Sequence, residues 1–414
     1  MIVAKDFRLE DKGALVEVSC ALTGDGFPDR LMFRLPAADA AAIDLAEPNW
    51  AAMALYWQAL MMGQDLVIEA DLSPLLLHNM RNDLMALMRN YEPLLKDIRI
   101  EAGFSTPVLP EGPRDVMTGF SGGVDSFSTF QLYSRPEVPP SLRMTALAVF
   151  QVGALGPTST GEALLAPAVA HAKAHADDHG LRTYALSSNM DEVFAPAGRF
   201  GPIDFRRTVG LRNAAAALVL QNGVGTYLPS GSVSYASATY GPYSCTENMD
   251  AVFQPLLNTE KLRVQPAGAG LTRNDKLRVI VDNPEAQRRL NVCVSPAGKP
   301  RPTTTLNCSA CWKCTQTLMV LETMGKLDAF SAVFDIWFYR ANRRRLLQSL
   351  VDTAQQNNLT GIINQLIGLR DAGADFPIPR TSADLFLRKA LRKAVLGGRK
   401  KPYLPASPPA KGSD

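Results

Sequence analysis

Residues Ser121-Gly122-Gly123-Val124-Asp125-Ser126 restrict the fold of this chain more than any other stretch. An apolar segment, Val116 to Phe120, precedes them and reads as a strand; Phe127 to Tyr133 follows and reads as the first turns of a helix. A strand, a glycine-rich turn and a helix start make an anion cradle. Glycine lets the backbone pass close to a phosphate, and the helix N-terminus offers N–H groups and the positive end of a dipole. The kind of phosphate decides the chemistry. No Gly-Lys-Ser/Thr follows at Walker A spacing, and the dinucleotide pattern Gly-x-Gly-x-x-Gly is absent. A plain structural turn is the alternative.

The neighbourhood of this turn alternates strand and helix from about residue 113 to 290. Strands are predicted at Val116–Phe120, Met144–Val152, Arg182–Ser187 and Gly225–Pro229, and helices at Ser126–Tyr133, Ala163–Asp178 and Val209–Gln221. Such alternation implies an α/β fold, a parallel sheet with helices on both faces. Ligands of such sheets bind at the carboxyl ends of the strands. Ser230 and Ser232, just past the fourth strand, are therefore candidate substrate or phosphate contacts.

Residues 1–112 read as an N-terminal α+β extension. Strands are expected at Ala14–Leu22, Arg30–Leu35, Asp65–Glu69 and Ile98–Ile100, with a helix near Trp50–Met62. Leu77, Met80, Leu84, Leu87 and Met88 recur at helical spacing, predicting one amphipathic helix over Leu75–Arg89. Ser105–Arg114, rich in Pro, reads as a linker into a central domain of residues 113–325. Residues 326–401 read as a helical C-terminal extension with a basic run at Arg343-Arg344-Arg345. Its last helix is capped by Thr381 or Ser382 and carries Arg388, Lys389, Arg392 and Lys393 before Gly397-Gly398. Residues 402–414 read as a disordered tail.

Composition excludes little beyond this. A formal net charge of +3 over 414 residues argues neither for nor against nucleic acid. Aromatics interleaved with basic residues are scarce apart from Trp337, Phe338 and Tyr339, so nucleic acid is not indicated. The start, MIVAKDFRLEDKG, lacks the apolar core of a signal peptide, and no apolar run approaches membrane-spanning length. Six cysteines are too few for a secreted disulfide framework, so a cytoplasmic protein is expected.

Four of those cysteines crowd together: Cys293, Cys308, Cys311 and Cys314, as C-x14-C-x2-C-x2-C. Four thiolates suit a tetrahedral Zn²⁺ site, closed to substrate and therefore structural. An Fe–S cluster and a redox pair are the alternatives. His171, His175 and His179 share one predicted helix face, which reads as a metal site or, beside Asp177 and Asp178, as a solvated face. Cys245 reads as a nucleophile facing substrate or as an inert thiol.

The turn matches the SGGxDS signature of the PP-loop ATP pyrophosphatases, a match expected by chance in roughly one chain in a thousand. Turn and cysteines in this order resemble the 7-cyano-7-deazaguanine synthase (QueC-like) family of that superfamily, over about residues 113–320. Gly210-Leu211-Arg212-Asn213 looks like its G-x-R-N helix start, and Leu271 to Lys276 like its segment carrying a basic residue toward the phosphates. The resemblance implies a Rossmann-like (HUP/PP-loop) sheet that binds ATP and Mg²⁺. Ser121 and Ser126 would supply hydroxyls, and Gly122, Gly123 and Val124 backbone N–H groups. Gly210, Arg212 and Asn213 would lie at the nucleotide, with Arg273 and Lys276 at the phosphates and Asp125 orienting the loop or holding Mg²⁺.

The resemblance further implies adenylation of a 7-carboxy-7-deazaguanine-type carboxylate with release of pyrophosphate, then attack by ammonia to give an amide and finally a nitrile. Two departures matter. The family's Y-G-Q-R-H segment is replaced by Phe150-Gln151-Val152-Gly153-Ala154, and both ends are extended. This is the pattern of a divergent paralogue, of the kind found in bacterial antiphage (CBASS-like) gene clusters. A variant that stops after one adenylation would pass the acyl group to another amine, such as one on a partner protein. A PP-loop enzyme modifying a tRNA base and a non-catalytic nucleotide-binding assembly factor are the alternatives.

Overall fold

The computed structural model describes residues 1–156, 158–201, 203, 205–242, 245–294 and 303–356, together with 367, 370 and 375. The expected capped helix beyond Thr381 and the tail at 402–414 lie outside the described residues. The chain forms two compact units, Met1–Ser121 with Thr129–Thr272, and Gly122–Ser128 with the chain from Arg273 onward.

The first unit is built on one ten-stranded sheet flanked by helices on both faces. It opens with β1 (Ile2–Asp11), β2 (Leu15–Thr23) and β3 (Arg30–Pro36), an antiparallel meander. Helix α1 (Asn49–Met62) follows, then β4 (Leu66–Leu72), α2 (Pro74–Arg81), α3 (Asp83–Tyr91) and β5 (Ile100–Phe104). All residues of α1 are buried, as befits a helix that is apolar on every side. Next come β6 (Asp115–Gly119), α4 (Val124–Tyr133), β7 (Ala146–Gln151), α5 (Thr158–Asp178) and β8 (Arg182–Ser188). The last elements are α6 (Met190–Phe194), α7 (Phe205–Val219), β9 (Val224–Tyr227), α8 (Asp250–Phe253) and β10 (Arg263–Val264).

Spatial order is β10-β9-β6-β7-β8-β3-β2-β1-β4-β5. The strands from β6 to β10 are parallel to their neighbours, as the βα alternation predicts. Counted from β6, they run 3-2-1-4-5, so the chain reverses its direction of travel between β6 and β9. Such a reversal opens a crevice at the carboxyl ends of the strands.

The parallel order expected from residue 113 onward holds over β6 to β10, but the sheet as a whole is mixed. Residues 1–112 have no sheet of their own: β1 to β5 continue the same sheet, and β3 runs antiparallel to β8. The reason is the connections. Short turns, such as the one at Gly13 (φ +82°), can join only antiparallel neighbours, whereas parallel ones need crossovers. The seam is narrow, pairing Phe33 with Ser188 and Arg34 with Ser187. Asn189 widens it with side-chain bonds in place of ladder bonds: its Oδ1 accepts from Met32 N at 2.9 Å and its Nδ2 donates to Arg30 O at 2.9 Å.

The helix expected over Leu75–Arg89 is two helices. Asn82, at φ −128° and ψ −102°, breaks it, and its Nδ2 donates to His78 O at 2.8 Å.

The second unit is helical among its described residues: α9 (Arg273–Ile280), α10 (Pro284–Arg289), α11 (Trp312–Thr323) and α12 (Ile336–Gln356), with the first turn of α4. Glu322 on α11 ties it to α12, receiving Tyr339 Oη at 3.0 Å and Arg343 Nε at 2.9 Å. Arg343, from the basic run at 343–345, is therefore part of a helix–helix contact.

Candidate functional site

In the second unit the glycine turn is held from within and from behind. Gly122 has φ +70°, a conformation that strains any other residue. Its carbonyl accepts from Asn291 N at 2.7 Å. Gly123 O accepts from Phe127 N at 3.0 Å, the first bond of α4, and from Ser126 Oγ at 3.0 Å. Ser126, expected to offer its hydroxyl outward, is buried and gives it to the loop backbone.

Asp125 lies in the first turn of α4, where a carboxylate suits the helix dipole. Arg273 and Lys276, one turn apart on α9, both reach it. Arg273 Nη1 stands 3.2 Å from Oδ2 and Lys276 Nζ 3.0 Å from Oδ1. The Lys276 side chain is 1% exposed and that of Asp125 24%. Burying an ammonium costs several kcal/mol unless a carboxylate faces it, and Asp125 presents one to Lys276. Arg273 Nε and Asn274 Oδ1 are buried and have no hydrogen-bond partner among the described residues.

The four cysteines also converge within this unit, their sulfurs lying within 4.8 Å of one another. Cys308 and Cys314 are 3.9 Å apart, and Cys311 and Cys314 3.3 Å. A tetrahedral zinc with 2.3 Å bonds sets its sulfurs about 3.8 Å apart, so the donor set fits. Two local features shape it. Ser309 takes φ +51°, folding Cys308 to Cys311 into a knuckle in which Cys311 N donates to Cys308 Sγ at 3.2 Å. Cys311 then precedes α11 and Cys314 lies in its first turn, where the dipole favours thiolates. The neighbouring thiols, Cys308 foremost, hold Cys293 far below the ordinary thiol range by hydrogen bonding to its thiolate. Hydrogen bonding to Cys293 and burial push the Cys308 and Cys314 thiols above the usual range; a bound cation would favour their thiolates.

Asn307 frames this centre and was not signalled by sequence. Fully buried, it accepts from Val292 N at 2.8 Å through Oδ1, and its Nδ2 donates to Leu290 O at 2.7 Å and Val333 O at 3.1 Å. It thereby fastens the strand of chain before Cys293 to the one before Cys308. Its only sequence mark is adjacency to Cys308.

The remaining candidates lie in the first unit. Arg212 is buried, and its Nη1 donates to Val152 O at 2.9 Å and Asp191 Oδ1 at 2.5 Å, with the guanidinium 4.0 Å above the Phe194 ring. Gly153 (φ +113°) passes so close that a Cβ would meet Arg212 Nη1 at 2.7 Å. Thus Arg212 braces the Phe150–Ala154 segment. Gly210 has a packing role, since a Cβ there would stand 2.5 Å from Phe253; Asn213 is half-buried. Ser121 is exposed at the end of β6. Ser230 Oγ lies 3.4 Å from Thr118 Oγ1 of β6 and its residue bridges to Ala267, while Ser232 is exposed.

Two readings are narrowed by surroundings. His175 is buried, stacked on Phe120 at 4.7 Å and edge-on to Phe130 at 4.5 Å, so this helix face is not solvated there. Cys245 donates to Glu247 Oε2 at 2.9 Å. Burial, reinforced by that carboxylate, pushes its thiol well above the usual range, which suits an inert thiol rather than a nucleophile.

No protein-family model, no curated protein and no solved structure matches this chain. Among the described residues no helix is long and apolar enough to cross a membrane.

Proposed function

We propose that this chain is a QueC-like PP-loop ligase with a Rossmann-like core. It adenylates a carboxylate of the 7-carboxy-7-deazaguanine type at the expense of ATP, releases pyrophosphate, and transfers the acyl group to an amine. The observation that carries this reading is the convergence of Arg273 and Lys276 on Asp125 of the glycine turn. A turn that merely reversed the chain would not need a buried lysine tethered to it. The 3-2-1-4-5 strand order, with the turn following its first strand, adds support.

In this scheme the substrate carboxylate attacks the α-phosphorus, its P–O bond to the β-phosphate breaks, and pyrophosphate leaves. The amine then attacks the acyl carbon and AMP departs. Backbone N–H groups of the turn and the start of α4 would hold the pyrophosphate. Arg273 and Lys276 would offset the charge that develops on it, Arg273 through its unsatisfied Nε–H. Both Asp125 oxygens already accept from these cations, so its role is to orient them. Mg²⁺, when bound with ATP, would supply further neutralisation of the phosphates. Zinc at the four cysteines would be structural, with no open position.

The amine is ammonia or an amine of a partner protein; the substituted Phe150–Ala154 segment and the extended ends favour the latter. Incubating the protein with ATP and 7-carboxy-7-deazaguanine tests the reading. AMP and pyrophosphate are expected, with a mass gain on the small acid or on a co-purifying protein. ADP and phosphate as products would overturn it.

A further inference from the structure

The metal centre and the glycine turn are joined by a short path of backbone. Gly122 O accepts from Asn291 N at 2.7 Å. Val292, the next residue, donates to Asn307 Oδ1 at 2.8 Å. Cys293 comes next, and Asn307 itself adjoins Cys308. Leu290 O, on the other side of Asn291, is gripped by Asn307 Nδ2 at 2.7 Å. Asn291 is thus flanked by residues that Asn307 holds, and the chain beyond it is anchored wherever Cys293 is bound.

The carbonyl it holds is a consequential one. In a trans peptide the C=O and the following N–H point in opposite directions. Fixing Gly122 O toward Asn291 therefore fixes the direction of the Gly123 N–H, the donor at the centre of the turn. Gly122 is in the left-handed region, which only glycine populates freely, so its peptide has little intrinsic preference to keep this orientation.

We infer that Asn291, through its backbone N–H, and Asn307, through its side chain, are positioning residues that couple metal binding at the four cysteines to the geometry of the glycine turn. A cation that draws Cys293 to Cys308, Cys311 and Cys314 holds residues 290–292 in place, and these set the Gly122–Gly123 peptide. Loss of the cation frees that peptide to rotate, loosening the turn while leaving its sequence intact. The link to phosphate binding rests on the function proposed above; the link from cysteines to turn does not.

The test uses the full chain and the Asn291→Pro variant, which removes the N–H. Leu290 has φ −57° and ψ +121°, a conformation that a following proline accepts, so the substitution fits the backbone before it. Asn291→Ala, which keeps the N–H, is the control. Metal content, amide exchange of the peptide spanning residues 121–128, and affinity for ATP are measured on all three. Asn291→Pro is expected to retain one equivalent of zinc and to exchange faster in the turn. Loss of one hydrogen bond of about 1 kcal/mol corresponds to roughly fivefold. ATP affinity should fall by a similar factor, with Asn291→Ala matching the parent. Stripping zinc from the parent should reproduce the faster exchange. Equal exchange in Asn291→Pro and parent overturns the inference, as does Asn291→Ala behaving like Asn291→Pro. Faster exchange with no ATP binding by any of the three proteins would uphold the coupling and sink the phosphate reading instead.

Discussion

Two clusters in the second unit gather charge in opposite ways. At Asp125 one carboxylate meets two cations, all from the chain. At Cys293, Cys308, Cys311 and Cys314 four sulfurs lie within 4.8 Å of one another. The first cluster sets one carboxylate against two cations, a net positive charge that suits an incoming anion. The second is a set of soft donors geometrically able to close on a metal ion. Sequence spacing is blind to this difference; it follows from which groups face each other.

The largest effect expected from breaking this comparison is on the metal side. Chelation, or Cys314→Ser, should abolish the cooperative unfolding transition of the second unit. Structural zinc contributes on the order of 10 kcal/mol to small metal-dependent folds. Trp312, beside Cys311, offers a fluorescence readout alongside metal content. A transition unchanged by chelation would remove the metal reading.

Asp125→Ala comes next. It leaves Lys276 buried without this carboxylate, and should cost about 3 kcal/mol in denaturant unfolding while ending pyrophosphate release. Stability within error of the parent would mean that Lys276 has another full counter-charge.

Lys276→Met sharpens the contrast. An apolar chain of similar length fills the buried site, and Asp125 keeps Arg273, so stability should change by about 1 kcal/mol or less. Turnover should nonetheless fall at least tenfold, the scale of losing one positioned charge. A full loss of stability with no catalytic effect would make Lys276 a core residue only.

Cys245 gives the smallest effect, as the isolated thiol set against the clustered ones. With its thiol pushed up, it remains neutral at pH 8 and should resist iodoacetamide until the protein is unfolded. Rapid labelling of native protein, read by mass spectrometry, would return it to the candidate nucleophiles.

How much of this could be read from residues alone depends on how local each signal is. The strands β6 to β9 were legible because each is a short apolar run bounded by turns, and the cysteines because metal spacing is itself local. β1 was not: Lys5, Asp6, Arg8 and Glu10 mask its alternation, and a bulge with Asp6 at φ +53° shifts its register. β10 is two residues long, too short to signal itself. The break at Asn82 was hidden because the apolar stripe continues in phase across it. Within the candidate site, Asp125, Arg273 and Lys276 were separately visible, but their union was not, since it joins residues some 150 apart: 148 for one pair and 151 for the other. Arg212 and Gly210 were visible as a motif, yet their surroundings in the first unit are those of bracing and packing residues.

The seam between β3 and β8 has a consequence for how the molecule comes into being. Met32 and Asn189, which close it, are separated by 157 positions. Strands β1 to β3 therefore wait for later chain to be made before their sheet can be extended across β3. Contacts of such sequence separation slow folding, because loop-closure entropy is lost before the pairing rewards it. Until then the edge of β3 is a bare row of amide and carbonyl groups, open to pairing with another nascent copy. Synthesis at reduced temperature or with chaperone present should accordingly raise soluble yield, and Asn189→Ala should lower it more than it lowers the equilibrium stability of the finished protein.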